Sequence, residues 1–355
     1  MTSSVDLLTS LLAAPGPSSF EIAPARLWRT AAARIADRVD ADVAGNSYAT
    51  LDGTGGPALM FAGHIDEIGL IVRYIDDEGY LSFDGIGGWD PQVFVGQRVL
   101  ILGKGGEVTG VVGKKAIHLM EREDREKVSR VADLWIDIGA TTRAEAEARV
   151  RVGDAGVLAA GVLQFPNGRI VSRSLDNRIG AYVVLEALRL LREGERASAT
   201  VTAVATTREE IAYTGGGART SAAALEAKAA IVVDVTHATD YPGMEKRRHG
   251  DHRLGGGPIV ARGAAVSSVV FDALVAAAEA DGIPYTVEAA SRDTRTDAEA
   301  IFNAHRGVAT GLVSVPLRYM HSPNEMVALG DVLSTARLLA AFARRVGADT
   351  DFIPR

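Results

Sequence analysis

The 355-residue chain contains no cysteine. Disulfides and thiolate metal sites are therefore excluded, and any bound metal must sit on histidine, aspartate or glutamate. It also lacks a basic stripe. The formal net charge is -7, spread along the chain, which argues against a nucleic-acid-binding face. No uninterrupted apolar run is long enough to span a bilayer, so no membrane is expected among its partners. The opening MTSSVDLLTSLLAAPGPSSF has no basic n-region, and acid and proline break its apolar part. It reads as a first helix and not as a signal peptide, and the expected location is the cytoplasm. There is no internal repeat and no low-complexity tract.

The length exceeds what one core usually holds, so a large domain with a second, smaller one is expected. An Ala/Arg-rich helix, ARLWRTAAARIADRV, precedes strands in the first segment. From residue 69 to 165 the texture changes to short β-like runs: GLIVRYI, GYLSFDGI, QRVLILG and EVTGVVG, separated by glycines and acids. Runs at this spacing suggest a small β barrel or sandwich. Beyond it, helices such as NRIGAYVVLEALRLLREG alternate with strands such as KAAIVVDVT and TGLVSVPL. Alternation of this kind argues an α/β sheet covered by helices. The expected architecture is an α/β domain (residues 1–68 and 166–355) interrupted by an inserted β domain (69–165).

The stretch LMFAGHIDEIGLIV, residues 59–72, reads as a buried strand yet carries His64, Asp66 and Glu67. Buried strands avoid ionisable groups unless these are paired or bind metal. Four more sites set acid or histidine beside a strong apolar run: Asp176 in SRSLDNRIG, Glu209 and Glu210 in ATTREEIAYTGGG, Asp234 and Asp240 in AAIVVDVTHATD, and His321 in VSVPLRYMHSPNE. In open α/β sheets ligands bind outside the carboxyl ends of strands, where such groups can converge. Two histidines and three carboxylates suit a pair of divalent cations such as Zn²⁺, Co²⁺ or Mn²⁺. Each position also has a simpler reading. Asp176 precedes a helix and can be its N-cap, His64 can be a hydrogen-bonded core histidine, and Glu209–Glu210 can be a solvated charge pair.

Taken together, GHIDEIGLIV, GIGGWDPQVFVGQRV, SLDNRIGAYVVLEAL, EEI, VVDVTHATDYPG, TDAEAI and PLRYMHSPNEM resemble the M42 metallo-aminopeptidases. That group includes the tetrahedral TET aminopeptidases and the glutamyl aminopeptidases. The resemblance runs in family order over nearly the whole chain. It implies a mixed central sheet sandwiched by helices, with a small inserted β barrel that makes dimers, and dimers that can join into a tetrahedral dodecamer. It implies two divalent metals per subunit, Zn²⁺ or Co²⁺ foremost. His64 and Asp234 would serve one metal, Glu210 and His321 the other, and Asp176 would bridge them. Asp66 would orient His64, two residues away on the same strand face. Glu209 would be the general base acting on a metal-bound water, with peptides as substrates. A cis peptide at Asp176–Asn177 is implied as well.

The chain departs from the family pattern in places. Arg208 stands where Gln is usual, AYTGGG replaces a VGxxGA-like run, and Arg295 stands where Gly commonly precedes Thr-Asp. These changes bear on the substrate pocket and on the tuning of Glu209. An inward-pointing Arg208 would lower the pKa of the base. Arg295 is expected to be solvated, and MEKRRHGDHR, with His249 and His252, to be an exposed polar loop. His118 is expected to be structural or interfacial, while His237 and His305 carry no usable pattern. Two other readings fit the same residues: a deacylase or carboxypeptidase-like hydrolase, and a catalytically inactive metal- or peptide-binding relative.

Overall fold

The computed structural model describes residues 4–212 and 215–355. Tyr213 and Thr214 of the AYTGGG segment lie outside the described residues, and so does any effect they have on a substrate pocket. Among the described residues, eight strands form one mixed sheet. From edge to edge it runs Arg38–Ala41, Ser47–Leu51, Thr200–Thr206, Ala58–His64, Ala229–His237, Ala309–Leu317, Ile259–Gly263 and Thr286–Ala290. The four central strands, from Thr200–Thr206 to Ala309–Leu317, are mutually parallel, so their carboxyl ends open on one side.

Parallel strands are apolar on both faces because helices cover both sides. Successive residues point to opposite faces. Leu59 and Phe61 accordingly enter one core with Trp28, Tyr182 and Phe342, whereas Met60 and Ala62 enter another with Ala218, Ala298 and Leu312. Helices Ser4–Ala13, Ile22–Ala32, Leu175–Glu193, Ser268–Ala280 and Leu329–Arg345 close the first core; Gly216–Ala224 and Asp297–Phe302 close the second.

After His64 the chain leaves the sheet and builds a closed antiparallel barrel. Its strand order is Gly69–Ile75, Leu81–Ile86, Trp135–Asp137, Gly106–Gly113, Arg98–Gly103 and Ala155–Leu158. Closure removes the free strand edges. Alternate residues fill the interior, among them Leu70 and Val72, Leu81 and Phe83, and Val99 and Ile101. The fold class read from the sequence, a helix-covered mixed sheet with an inserted barrel, is the one observed. A smaller sheet of Leu163–Phe165, Arg169–Ser172 and Glu325–Ala328 follows the barrel in the chain.

Two local differences have plain causes. The helix expected over ARLWRTAAARIADRV stops at Ala32, because Arg38 and Val39 pair with Thr50 and Ala49 as an edge strand. Tertiary pairing overrides helix propensity there. The strands Ile259–Gly263 and Thr286–Ala290 gave no pattern, since the first ends on Arg262 and Gly263 and the second is a half-exposed edge. No helix among the described residues is long and apolar enough to cross a membrane.

Candidate metal and catalytic site

The expected site residues meet at the carboxyl ends of the parallel strands, where ligands bind in such sheets. His64 ends its strand beside Thr206. The register Val232↔Ala62 carries on to set Asp234 level with His64. Asp176 arrives at the start of helix Leu175–Glu193. That helix comes close because a side chain is missing at the contact: a Cβ on Gly63 would lie 2.4 Å from the Gly180 carbonyl carbon. Asn177 fastens the turn, donating from Nδ2 to Val233 O at 2.8 Å and accepting the Gly180 amide at 2.9 Å. The Asp176–Asn177 peptide is cis, as the family resemblance implies. His321 follows strand Ala309–Leu317 in a turn with φ of 59°.

Asp176 stands between the two imidazoles. Its Oδ1 is 3.3 Å from His64 Nε2 and its Oδ2 is 3.4 Å from His321 Nε2. Glu210 Oε2 is 3.3 Å from His321 Nε2. Glu209 Oε2 and Asp234 Oδ1 are 3.7 Å and 4.0 Å from His64 Nε2. Two sets of ligand atoms, from His64, Asp176 and Glu210 and from His64, Glu209 and Asp234, each lie within 4.8 Å of one another.

Behind these groups, Asp66 is fully buried and multiply engaged. Its Oδ1 is 3.4 Å from His64 Nδ1 and accepts the Glu209 amide at 3.2 Å. Its Oδ2 accepts the Glu210 amide at 3.2 Å and the Ser18 hydroxyl at 2.7 Å. One carboxylate thus locates three neighbours of the site. His321 takes its orientation from the barrel, for its Nδ1 lies 2.6 Å from Gly88 O. Trp89, donating from Nε1 to Gly69 O at 2.7 Å, holds that turn. A proton on Nδ1 leaves the Nε2 lone pair of His321 free for a metal.

Burial opposes charge on both imidazoles, yet the surrounding carboxylates prevail. Glu209, Asp176 and Asp66 hold His64 well above its ordinary pKa, and Asp176 and Glu210 push His321 up to about 11. Burial, and then like charge from Asp234, Asp297 and Glu210, outweighs His64 and pushes Glu209 up to about 10. Burial also raises Glu210 and Asp234. The cluster holds more buried carboxylate than its imidazoles can neutralise, and divalent cations supply the missing charge in such sites. Among the described residues, Glu210 Oε1 is buried with no hydrogen-bond partner, an unfilled acceptor on a proposed ligand. Nitrogen and oxygen donors without sulfur suit borderline and hard divalent ions. The donor set therefore fits the metals that the sequence implies.

Two neighbours escaped the sequence reading. Asp297, buried, accepts the Thr206 hydroxyl. Glu325 accepts the amides of Asp176 and His321. Glu67, the second acid noted in LMFAGHIDEIGLIV, is clamped by Arg173 and Arg178. Only the position of Glu325 inside MHSPNEM and of Asp297 inside TDAEAI hinted at them. Asp240, grouped above with the strand-end acids, pairs instead with Arg318 at 2.8 Å. The Arg208 Nε binds Ser19 Oγ at 3.0 Å, and its amide binds Glu21. Arg295 is solvated, 3.8 Å from Asp293. His249 is exposed, but His252 is buried against Thr286, so the 244–253 segment is not wholly a surface loop. His118 is exposed on the barrel side, and His305 binds Ala222 O.

A barrel-bearing α/β sheet with this cluster at its strand ends is the frame of a metallopeptidase. A family model described as M42 glutamyl aminopeptidase matches residues 45–338, and the chain belongs to that family of peptide-bond hydrolases. A lysyl aminopeptidase of Pyrococcus furiosus is 33% identical, with 98% of this chain and 99% of that protein aligned. The crystal structure of a TET aminopeptidase from a marine-sediment thaumarchaeote superposes with a TM-score of 0.92 at 32% identity, covering 97% of this chain and 96% of that one. A TET1 peptidase of Pyrococcus horikoshii, described as assembling into a tetrahedron or a large octahedral shell, gives 0.85 at 28% identity, covering 97% and 100%.

Proposed function

We propose that the chain is a two-ion aminopeptidase that removes N-terminal residues from peptides. The observation that carries this reading is Asp176, which offers one oxygen toward each imidazole. His64 and Asp234 would hold one ion, Glu210 and His321 the other, with Asp176 shared. Zn²⁺ or Co²⁺ suits these donors. Such ions, when bound, polarise the scissile carbonyl and acidify a water near neutral pH. Glu209 would take the proton released by the nucleophile and return it to the departing amine. The side chain of Glu209 is 15% exposed and that of Glu210 6%, which leaves Glu209 the more open to substrate. Asp66 would keep the His64 ring and the Glu209–Glu210 backbone in place.

Chelation should abolish turnover of aminoacyl-anilides, and added Zn²⁺ or Co²⁺ should restore it. A panel containing N-acyl amino acids decides the substrate class. Preferential cleavage of the N-acyl compounds would replace the aminopeptidase reading with a deacylase. Full activity after exhaustive chelation would remove the ions from the mechanism.

We further assign residues 1–68 and 166–355 to the catalytic unit and 69–165 to a unit that pairs copies of the chain in the cytoplasm. Ile117, Leu119 and Val128, in the loop after Gly106–Gly113, are 57%, 69% and 61% exposed and offer apolar area to a partner. The TET1 relative's shell suggests that such pairs can join into a cage that admits only unfolded peptides. Light scattering is expected to give a dimer mass or a multiple of it. A monomer at all micromolar concentrations would refute pairing, and a stable dimer would refute the cage alone.

A further inference from the structure

We propose that Glu325 is a positioning residue for the ion centre, a single carboxylate that fixes the spacing between the shared ligand Asp176 and the terminal ligand His321. The inference rests on the two-ion reading above.

Glu325 opens strand Glu325–Ala328, where it pairs with Ser172. That pairing lays it beside the segment that leads to Asp176, and it follows His321 by four residues. Its Oε2 accepts the Asp176 amide at 3.0 Å and its Oε1 accepts the His321 amide at 2.9 Å. The side chain is almost wholly enclosed, at 2% exposure. Both acceptor bonds are therefore made in a dry setting, where an unmade one is costly. Neither amide has a place in a regular ladder. Asp176 stands at the non-helical start of its helix, and His321 lies in a turn with positive φ. One rigid group thus joins two remote chain segments at the place where their side chains must share an ion.

The arrangement mirrors that of Asp66, whose two oxygens take the amides of Glu209 and Glu210. Of the proposed ligands, Asp176, His321 and Glu210 are each held through the backbone by one of these two buried acids. His64 is held through its ring by Asp66, and Asp234 by its own strand. Glu325 faces amides, not reacting atoms, so it acts through Asp176 and His321 and not on the substrate. Glutamine at this position keeps the shape but turns an N–H donor toward one of the two amide N–H groups. Aspartate keeps the charge but is one methylene too short to reach both.

The test is titration of metal-stripped protein with Co²⁺ against a competing chelator, together with the visible spectrum of bound Co²⁺. Partners of metal ligands are typically worth about 10–100-fold in metal affinity. Glu325→Gln is expected to weaken Co²⁺ binding within that range and to alter the spectrum, while the stripped variant keeps the native circular dichroism. Glu325→Asp should fall between it and the native protein. A role confined to holding the small sheet together would lower the melting temperature of the stripped variants and leave affinity and spectrum native; that result overturns the proposal. Should the glutamine variant fail to fold, native-like Co²⁺ affinity in Glu325→Asp would overturn it equally. Failure of the native protein to take up Co²⁺ would strike at the two-ion reading itself, a result distinct from native uptake with unaffected variants.

Discussion

Glu209→Gln is expected to lower kcat by about 10²–10⁴-fold while the divalent-ion content stays native. Glutamine has the size of glutamate but cannot accept the nucleophile's proton. The bond that locates this residue runs from its backbone amide to Asp66 Oδ1, and the substitution leaves it intact. The geometry around Glu210 should also persist, since its amide bonds the other oxygen of Asp66. Because proton transfer matters in the transition state and not in substrate binding, kcat and kcat/KM should fall together. Single-turnover rates beside metal analysis make the comparison. A near-native rate with ions bound would remove Glu209 as the base. Loss of ion content would place it among the ligands instead, a role its proximity to His64 and Asp234 makes a definite alternative.

The site was legible where a side chain interrupts an apolar pattern. A histidine and an aspartate two apart at the end of a buried strand demand a reason, because desolvation of both is costly without one. The same logic exposed Asp176, Glu210, Asp234 and His321, which the fold gathers at the strand ends. It also offered Asp240, whose neighbouring Arg318 lies far along the chain and pairs with it only in three dimensions. Glu325 was not legible for the converse reason. It answers backbone amides of Asp176 and His321, and backbone needs leave no mark in composition or spacing. The barrel's reach into the site was hidden in the same way, since the Gly88 carbonyl that meets His321 belongs to a glycine turn without chemistry of its own. The main sheet was read more fully at its centre than at its edge. Ala58–His64 and Ala229–His237 are continuous apolar runs, whereas Thr286–Ala290 is short and half exposed.

Arg178→Met is expected to reduce folding stability by about 3–5 kcal/mol, read as a lower urea midpoint of the metal-free protein. Arg178 is fully buried and spends its guanidinium on a junction between remote segments. Nε donates to Ile65 O at 2.7 Å, Nη1 to the carbonyls of Leu11 and Ala14, and Nη2 to Glu67 Oε1 at 2.9 Å. Burial lowers its pKa only to about 10, so it carries its charge at neutral pH. Methionine fills similar space but leaves the carbonyls of Ile65, Leu11, Ala14 and Gly16 without this donor and Glu67 with Arg173 as its remaining ionic partner. Removing one member of a buried pair costs more than the pair contributes, because the other stays desolvated. Restoring the balance should therefore recover part of the loss, and Glu67→Gln combined with Arg178→Met is expected to be more stable than Arg178→Met alone. The junction also touches the site from behind, since Glu67 follows Asp66 and Arg178 lies two residues beyond Asp176. A native urea midpoint in Arg178→Met would mean that the attraction within this cluster no more than balances the cost of burying its charges.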